Sequence, residues 1–288
     1  GHSARRPPPL PMRDGLGPAR LRLDGGSVLD ELTRRFGAAG TAKVLAGEVV
    51  DADGRVVDGS SVLAPGSVVF LYRDLPDEVE VPFGIPVIHR DDNIIVVDKP
   101  HFLSTMPRGR HVAQTGLVRM RRELDMPELS PAHRLDRLTA GVLMLTTHQE
   151  VRGRYQMLFA AGLTAKTYLA RSAGIPNIVL PHTVSNRIVK RRGSLQASVE
   201  AGEPNAETLI HEIGGGLYRL EPRTGRTHQL RLHMASIGLP IDNDPLYPSV
   251  IPAVDEDFSA PLALLAQSLE FVDPISGERR RFESSREL

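Results

Sequence analysis

The sequence predicts an α+β protein: a mixed or antiparallel sheet with flanking helices around a cleft, preceded by a small α+β module. Three observations carry that expectation. Short apolar or alternating runs bounded by turn residues recur along the chain. Helical-period segments fall among them irregularly, where strict strand–helix alternation would instead signal a doubly wound parallel sheet. Turn clusters such as Gly214-Gly215-Gly216 join neighbouring strand-like runs into hairpins.

Residues 1–20 are rich in Pro, Gly and Arg and read as a flexible tail. A compact module follows over 21–76. Apolar residues at helical spacing predict a helix over 28–36, broken by Gly37, and a short second helix over 43–46 that Gly47 ends. Residues 48–57 read as strand, Asp53-Gly54 turn and strand, and 68–72 as a last strand. The order helix, helix, hairpin resembles the small alpha-L type RNA-binding domain of ribosomal proteins and some RNA-modifying enzymes. The basic second helix of that domain is represented here by Lys43 alone, and a plain α+β appendage stays open.

An acidic, proline-flanked linker over 77–85 leads to the larger domain, 86–288. Strands are expected over 86–89 and 94–98 around a polar turn, then a helix over 115–123 with Leu117, Met120 and Leu124 on one side. A buried strand over 141–146 follows, then a helix over 150–161 that turns Val151, Tyr155, Leu158 and Phe159 inward. A strand over 167–170, a hairpin of 208–211 with 217–221, and a helix starting at Leu230 and stopped by Gly238 complete the domain. No internal repeat stands out.

Composition narrows the chemistry. With 41% hydrophobic and 24% charged residues the 288-residue chain is globular in character. Cysteine is absent, which excludes a disulfide scaffold, a thiol nucleophile, an iron–sulfur cluster and a cysteine zinc site. Formal net charge is zero, yet 35 basic residues less four lysines leaves 31 arginines. GC-rich coding accounts for such a bias; arginine also offers a planar donor fork suited to phosphate and to stacking on bases. Acids crowd the front of the chain, whereas arginines cluster over 108–122, 134–137, 187–192 and 219–231, so local basic patches survive the neutral total. The stretches 108–122 and 187–192 read as loops suited either to RNA phosphates or to plain solvation. No apolar run of about 18 residues predicts a membrane span. The chain start lacks the apolar core of a signal peptide, so a soluble, cytoplasmic monomer is the expectation.

Three segments are dense in reactive groups. In residues 131–141, Asp136 is flanked by Arg134 and Arg137 directly before an apolar strand. A carboxylate kept ionised by neighbouring cations suits a nucleophile or general base, and equally a structural Asp–Arg pair. In residues 222–234, a Gly225 turn opens a helix carrying Arg226, Thr227, His228, Gln229 and Arg231. His228 and His233 are five apart and so share a helix face poorly as metal ligands, which favours a polar or core role for both. The third segment, Lys166-Thr167-Tyr168, is by itself an ordinary strand.

Taken together and in order, these motifs resemble the RluA-type RNA pseudouridine synthases: His133-Arg134-Leu135-Asp136-Arg137 with Thr139 and Gly141, Lys166 with Tyr168, and Gly225 to Arg231 with His233. Val96 to Pro100 is similar to that family's "NKP" strand end, and Gly238 to Tyr247 to its "GxPIxGDxxY" segment. The resemblance covers about 86–270. Ala140 stands where Ser is usual, and Asn243 where Gly is.

The resemblance implies a pseudouridine synthase fold and isomerisation of uridine to pseudouridine in structured RNA, ribosomal RNA foremost and transfer RNA next. The base would be detached, turned over and rejoined through carbon, so no redox cofactor, energy source or metal is required. Asp136 is then the nucleophile. Tyr168 stacks on the flipped base and is placed to deprotonate it, and Arg231 pairs with Asp136 to hold it ionised. Arg134 would fill the space left by the flipped nucleotide, with His133, Arg137, Thr139, Lys166, Arg226, His228 and Gln229 against the RNA. Two other readings stay open: an RNA-binding protein without catalysis, and an unrelated hydrolase pairing Asp136 with His133 or His228.

Overall fold

The computed structural model describes residues 6–252 and 255–288, and the chain divides into two compact units, 1–77 and 78–288. The first runs β1 (Ala19–Arg22), β2 (Gly26–Ser27), α1 (Val28–Phe36), α2 (Ala38–Leu45), β3 (Val50–Asp51), β4 (Val62–Leu63) and β5 (Val68–Leu71). Strands β1 and β3 flank β5 in an antiparallel sheet, and β2 pairs with β4. Ser27 starts α1 by accepting the Asp30 amide, and Gly37 ends it at a φ of 66°. Val28 and Leu32 face the sheet with Val44, Val49 and Val69 in one core.

Of the expected tail, residues 1–5 lie outside the described residues. From Pro11 onward the segment is tied down. The Tyr72 hydroxyl donates to the Pro11 carbonyl, and the Arg13 guanidinium lies 4.0 Å over the Tyr72 ring. Proline and arginine content alone does not reveal such anchoring by a distant aromatic ring. The 77–85 linker likewise packs as part of the second unit. Glu78 accepts the amides of Val112, Ala113 and Gln114, and Val81 and Ile85 enter the core.

The second unit runs β6 (Val87–Arg90), β7 (Ile94–Lys99), α3 (Gly116–Leu124), β8 (Ser130–Pro131), β9 (Ala140–Thr146), α4 (Gln149–Ala160), β10 (Thr164–Arg171) and β11 (His182–Val189). It continues with β12 (Ser198–Glu200), β13 (Ala206–Gly214), β14 (Leu217–Pro222), α5 (Gln229–Ser236), β15 (Leu264–Val272) and β16 (Arg279–Glu283). Eleven strands form one sheet, ordered β12-β11-β13-β14-β10-β15-β9-β7-β6, with β16 on β15 and β8 on β9. Every pairing is antiparallel except β15 with β9, so the sheet is mixed as the sequence predicts.

That single parallel junction requires a glycine. Gly141 sits at φ 124°, and a Cβ there would meet the Ala266 carbonyl oxygen at 2.1 Å. The chain can therefore pass from the 132–139 loop straight into the middle of the sheet. The basic stretches expected as loops are only partly so: Arg187 lies within β11, and Arg119, Arg121 and Arg122 ride on α3. In β11 the buried positions are Val184 and Ile188, and that four-residue spacing hides the strand from a two-residue alternation search.

Candidate active site

Asp136 lies on the loop between β8 and β9, half-buried. Its neighbours are clamped through their main chain. The Thr105 hydroxyl donates to the Leu135 carbonyl at 2.8 Å and accepts the Leu135 amide at 3.0 Å. On the other side the fully buried Lys99 ammonium donates to the Arg137 carbonyl at 3.2 Å, and to Pro100 and Leu103 carbonyls at 3.0 and 2.6 Å. The Asp136 carbonyl accepts the Thr139 amide. The Asp136 carboxylate itself makes no hydrogen bond or ion pair among the described residues. The loop is thus held while the carboxylate stays free to react. Burial drives the Lys99 pKa well below its ordinary value, and the nearby Asp136 charge opposes that.

The carboxylate opens into a cleft of about 540 Å³ that also holds Arg134, Lys166, Tyr168, Arg226, His228 and Arg231. Tyr168 comes from β10, between two hydrophobic cores. Burial, and then the Asp136 charge, raise its pKa, so the phenol keeps its proton at neutral pH. Arg134 is exposed at the cleft, and Lys166 is half-buried with no partner among the described residues. Burial lowers the pKa of Lys166.

Arg231 is placed differently from expectation. Its guanidinium forks onto Asp244, Nε to Oδ2 at 2.9 Å and Nη2 to Oδ1 at 2.6 Å, with both side chains buried. Asp244 Oδ1 also accepts the Leu246 and Tyr247 amides. A carboxylate fixed by its own turn offers the planar fork a bidentate partner, which the loop carboxylate of Asp136 does not. Asn243, in place of the usual Gly, sits at φ 64°, a left-handed conformation that asparagine tolerates better than other side chains.

The remaining residues divide between structure and surface. The Gln229 amide donates to the Glu207 carbonyl and Thr208 and accepts from Thr224 and the Arg226 amide, so it staples the turn and has no group left over. His133 Nε2 accepts the Met144 amide at 3.0 Å, and the ring stacks on Phe159 with centroids 4.2 Å apart. Burial, then Lys166, take its pKa down to about 3. His133 is therefore neutral, with Nε2 already engaged as an acceptor. Arg137 is ion-paired with Glu256, and Arg226 Nε donates to the Asn205 carbonyl at 3.0 Å. Thr139 is buried beside Asp136. His233 bridges Thr208 and Asn186 inside the core. Among the described residues no cluster of His, Asp and Glu could hold a metal. Thr105 escaped the sequence reading: a lone threonine 30 residues before its partner carries no local signal.

The cleft sets one free carboxylate beside an aromatic face with cationic side chains in its lining. The chain belongs to the RNA pseudouridylate synthase family, whose profile matches residues 93–236, and is an isomerase of that class. An uncharacterized RNA pseudouridine synthase of Synechocystis sp. is 30% identical over 204 residues, covering 69% of this chain and 70% of that protein. The mitochondrial tRNA pseudouridine(32) synthase of Saccharomyces cerevisiae is 30% identical over 200 residues, covering 66% of this chain and 43% of the relative. Ribosomal large subunit pseudouridine synthase D of Pseudomonas aeruginosa is 26% identical over 287 residues, covering 90% of this chain and 88% of the relative. The chain thus spans well under two thirds of some curated relatives and most of others. The solved human RNA pseudouridylate synthase domain containing 4 shares the fold, with a TM-score of 0.54 at 23% identity over 69% of this chain and 88% of that one.

Proposed function

We propose that this enzyme converts specific uridines of structured RNA to pseudouridine, ribosomal RNA foremost and transfer RNA next, with Asp136 as nucleophile on a flipped nucleotide. The observation that carries the reading is the free Asp136 carboxylate, held by main-chain clamps at the floor of a cationic cleft. The ribosomal preference is supported by the relative that aligns along both units of the chain.

The carboxylate attacks the ribose C1′, the bond to N1 breaks, and the base leaves with its electron pair. After turning over, the base rejoins C1′ through C5 as the carboxylate departs, C5 loses its proton and N1 gains one, so nothing enters or leaves overall. Extruding the uridine costs a few kcal/mol. Tyr168 offsets it by stacking, and Arg134 by filling the vacated space. While Asp136 is charged, Tyr168 holds its proton. Tyr168, stacked on the base, would take part in the closing proton transfer, which follows once Asp136 has left the ribose. Lys166 and Arg226 would meet backbone phosphates, and the N-terminal unit and outer loops would select the RNA site.

A pseudouridine map of ribosomal and transfer RNA from cells lacking the gene, rescued with wild type or with Asp136→Ala, tests this. Loss of a site restored only by wild type is the expected result. Restoration by the Ala variant would overturn the nucleophile, and an unchanged map would overturn the choice of substrates.

A further inference from the structure

His228 occupies a left-handed backbone conformation, φ 55° and ψ 21°, immediately before α5. A bulky residue is held there at a conformational cost that surrounding contacts must offset. Those contacts aim the ring. Nδ1 lies 2.8 Å from the Tyr247 hydroxyl, and the two rings meet edge to face at 5.6 Å. The same hydroxyl oxygen accepts the Ala197 amide at 2.7 Å. A phenol that already receives an N–H has its own proton to donate, and the acceptor in reach is Nδ1. A neutral imidazole accepting at Nδ1 carries its proton on Nε2.

Burial pushes the His228 pKa below its ordinary value. Asp136 and Asp244 draw it back up, and Arg231 and Lys190 push it further down. The ring is therefore a neutral donor at pH 7. Nε2 has no partner among the described residues, and His228 lines the cleft on both sides of Asp136.

We infer that His228 is a specificity-determining donor, whose Nε2–H bonds a keto oxygen of the pyrimidine held over Asp136, with Tyr247 fixing the tautomer that makes it a donor. This rests on the proposed function. Once the bond to N1 breaks, the detached base carries negative charge shared onto its keto oxygens. A preset neutral donor then gains strength as the reaction proceeds. An exocyclic amine, itself a donor, would be refused at the same position, which excludes an aminopyrimidine there.

Two measurements test the inference. The first reads single-turnover pseudouridine formation, enzyme in excess, on ribosomal RNA purified from cells lacking the gene. His228→Leu should slow the step ~10- to 100-fold while RNA affinity stays within about twofold. His228→Gln, which keeps an N–H donor, should recover part of the rate. Tyr247→Phe should slow it severalfold, and the Leu/Phe double variant should be no slower than His228→Leu alone. The second reads the ring nitrogens of His228 by 15N NMR in the free protein. Wild type should show protonated Nε2 and bare Nδ1, and Tyr247→Phe a mixture of tautomers.

A wild-type rate in His228→Leu, additive losses in the double variant, or a proton on Nδ1 in wild type would each overturn the inference. If wild type forms no pseudouridine in that RNA although the NMR result holds, the substrate reading fails and the inference falls with it.

Discussion

Replacing Thr105 with valine tests whether the reactive loop is held by its main chain. The hydroxyl makes two buried hydrogen bonds to Leu135, as donor and as acceptor. Valine matches the volume but supplies neither partner. Leaving each buried Leu135 group unsatisfied costs about 1–3 kcal/mol, the lost hydrogen bond included. The expected loss from the two groups is therefore roughly 2–6 kcal/mol, or about 4–24 °C in Tm for a unit of this size. Chemistry should suffer separately. A displacement of about 1 Å at a reacting group can cost ~100-fold in rate, so the single-turnover rate, measured below the lowered Tm, should fall ~10- to 100-fold with RNA affinity unchanged. Thr105→Ser keeps both bonds and should recover the rate. A Val variant that turns over at the wild-type rate would refute the clamp. A Ser variant as slow as Val would show that the methyl group matters and the hydroxyl does not.

Two further outcomes follow from the polar networks. Asp244→Asn strands a buried guanidinium, and urea unfolding should show a loss of about 3–5 kcal/mol; the Arg231→Met/Asp244→Leu pair should lose much less than the sum of its single variants. Burial alone would raise the Asp91 carboxyl, but hydrogen bonds from His89, the Ile94 and Asn93 amides and Arg280 outweigh it and bring the pKa down to about 2. A depressed carboxyl stabilises the fold above its unfolded pKa and loses that contribution as pH falls through the folded one. Wild type should therefore lose stability between pH 4 and about 2, and Asp91→Asn should flatten that limb of a Tm-versus-pH curve.

What could be read in the sequence was local. The β7 run Ile94-Ile95-Val96-Val97 and the α4 positions Val151, Tyr155 and Leu158 declare their periods in a few consecutive residues, and both became core. The late strand β15 takes its central place from distant partners, β10 and β9, and only its hairpin with β16 is local. The anchoring of residues 11–20 and the packing of 78–85 were hidden for the same reason, since Tyr72 and the 112–114 amides are distant in sequence.

The site shows the same division, with a physical consequence. The family resemblance marks Asp136, Tyr168, His228 and Arg231 as residues of one cleft, and one cleft holds all four. Spacing says nothing about which partner each takes, because partners are chosen by which fixed groups lie within reach. Arg231 takes Asp244, whose carboxylate is already oriented by two amides. His133 takes a strand amide, and Gln229 takes both sides of a turn. The Arg231 choice removes a competitor for the Asp136 carboxylate. Had Arg231 forked onto Asp136 in the resting cleft, a carboxylate acting as proposed would have to break a bidentate bond before it could attack. Holding that guanidinium on Asp244 keeps the positive charge near Asp136 and its oxygens unengaged. The reactivity of the site thus depends as much on the carboxylate that is paired as on the one that is not.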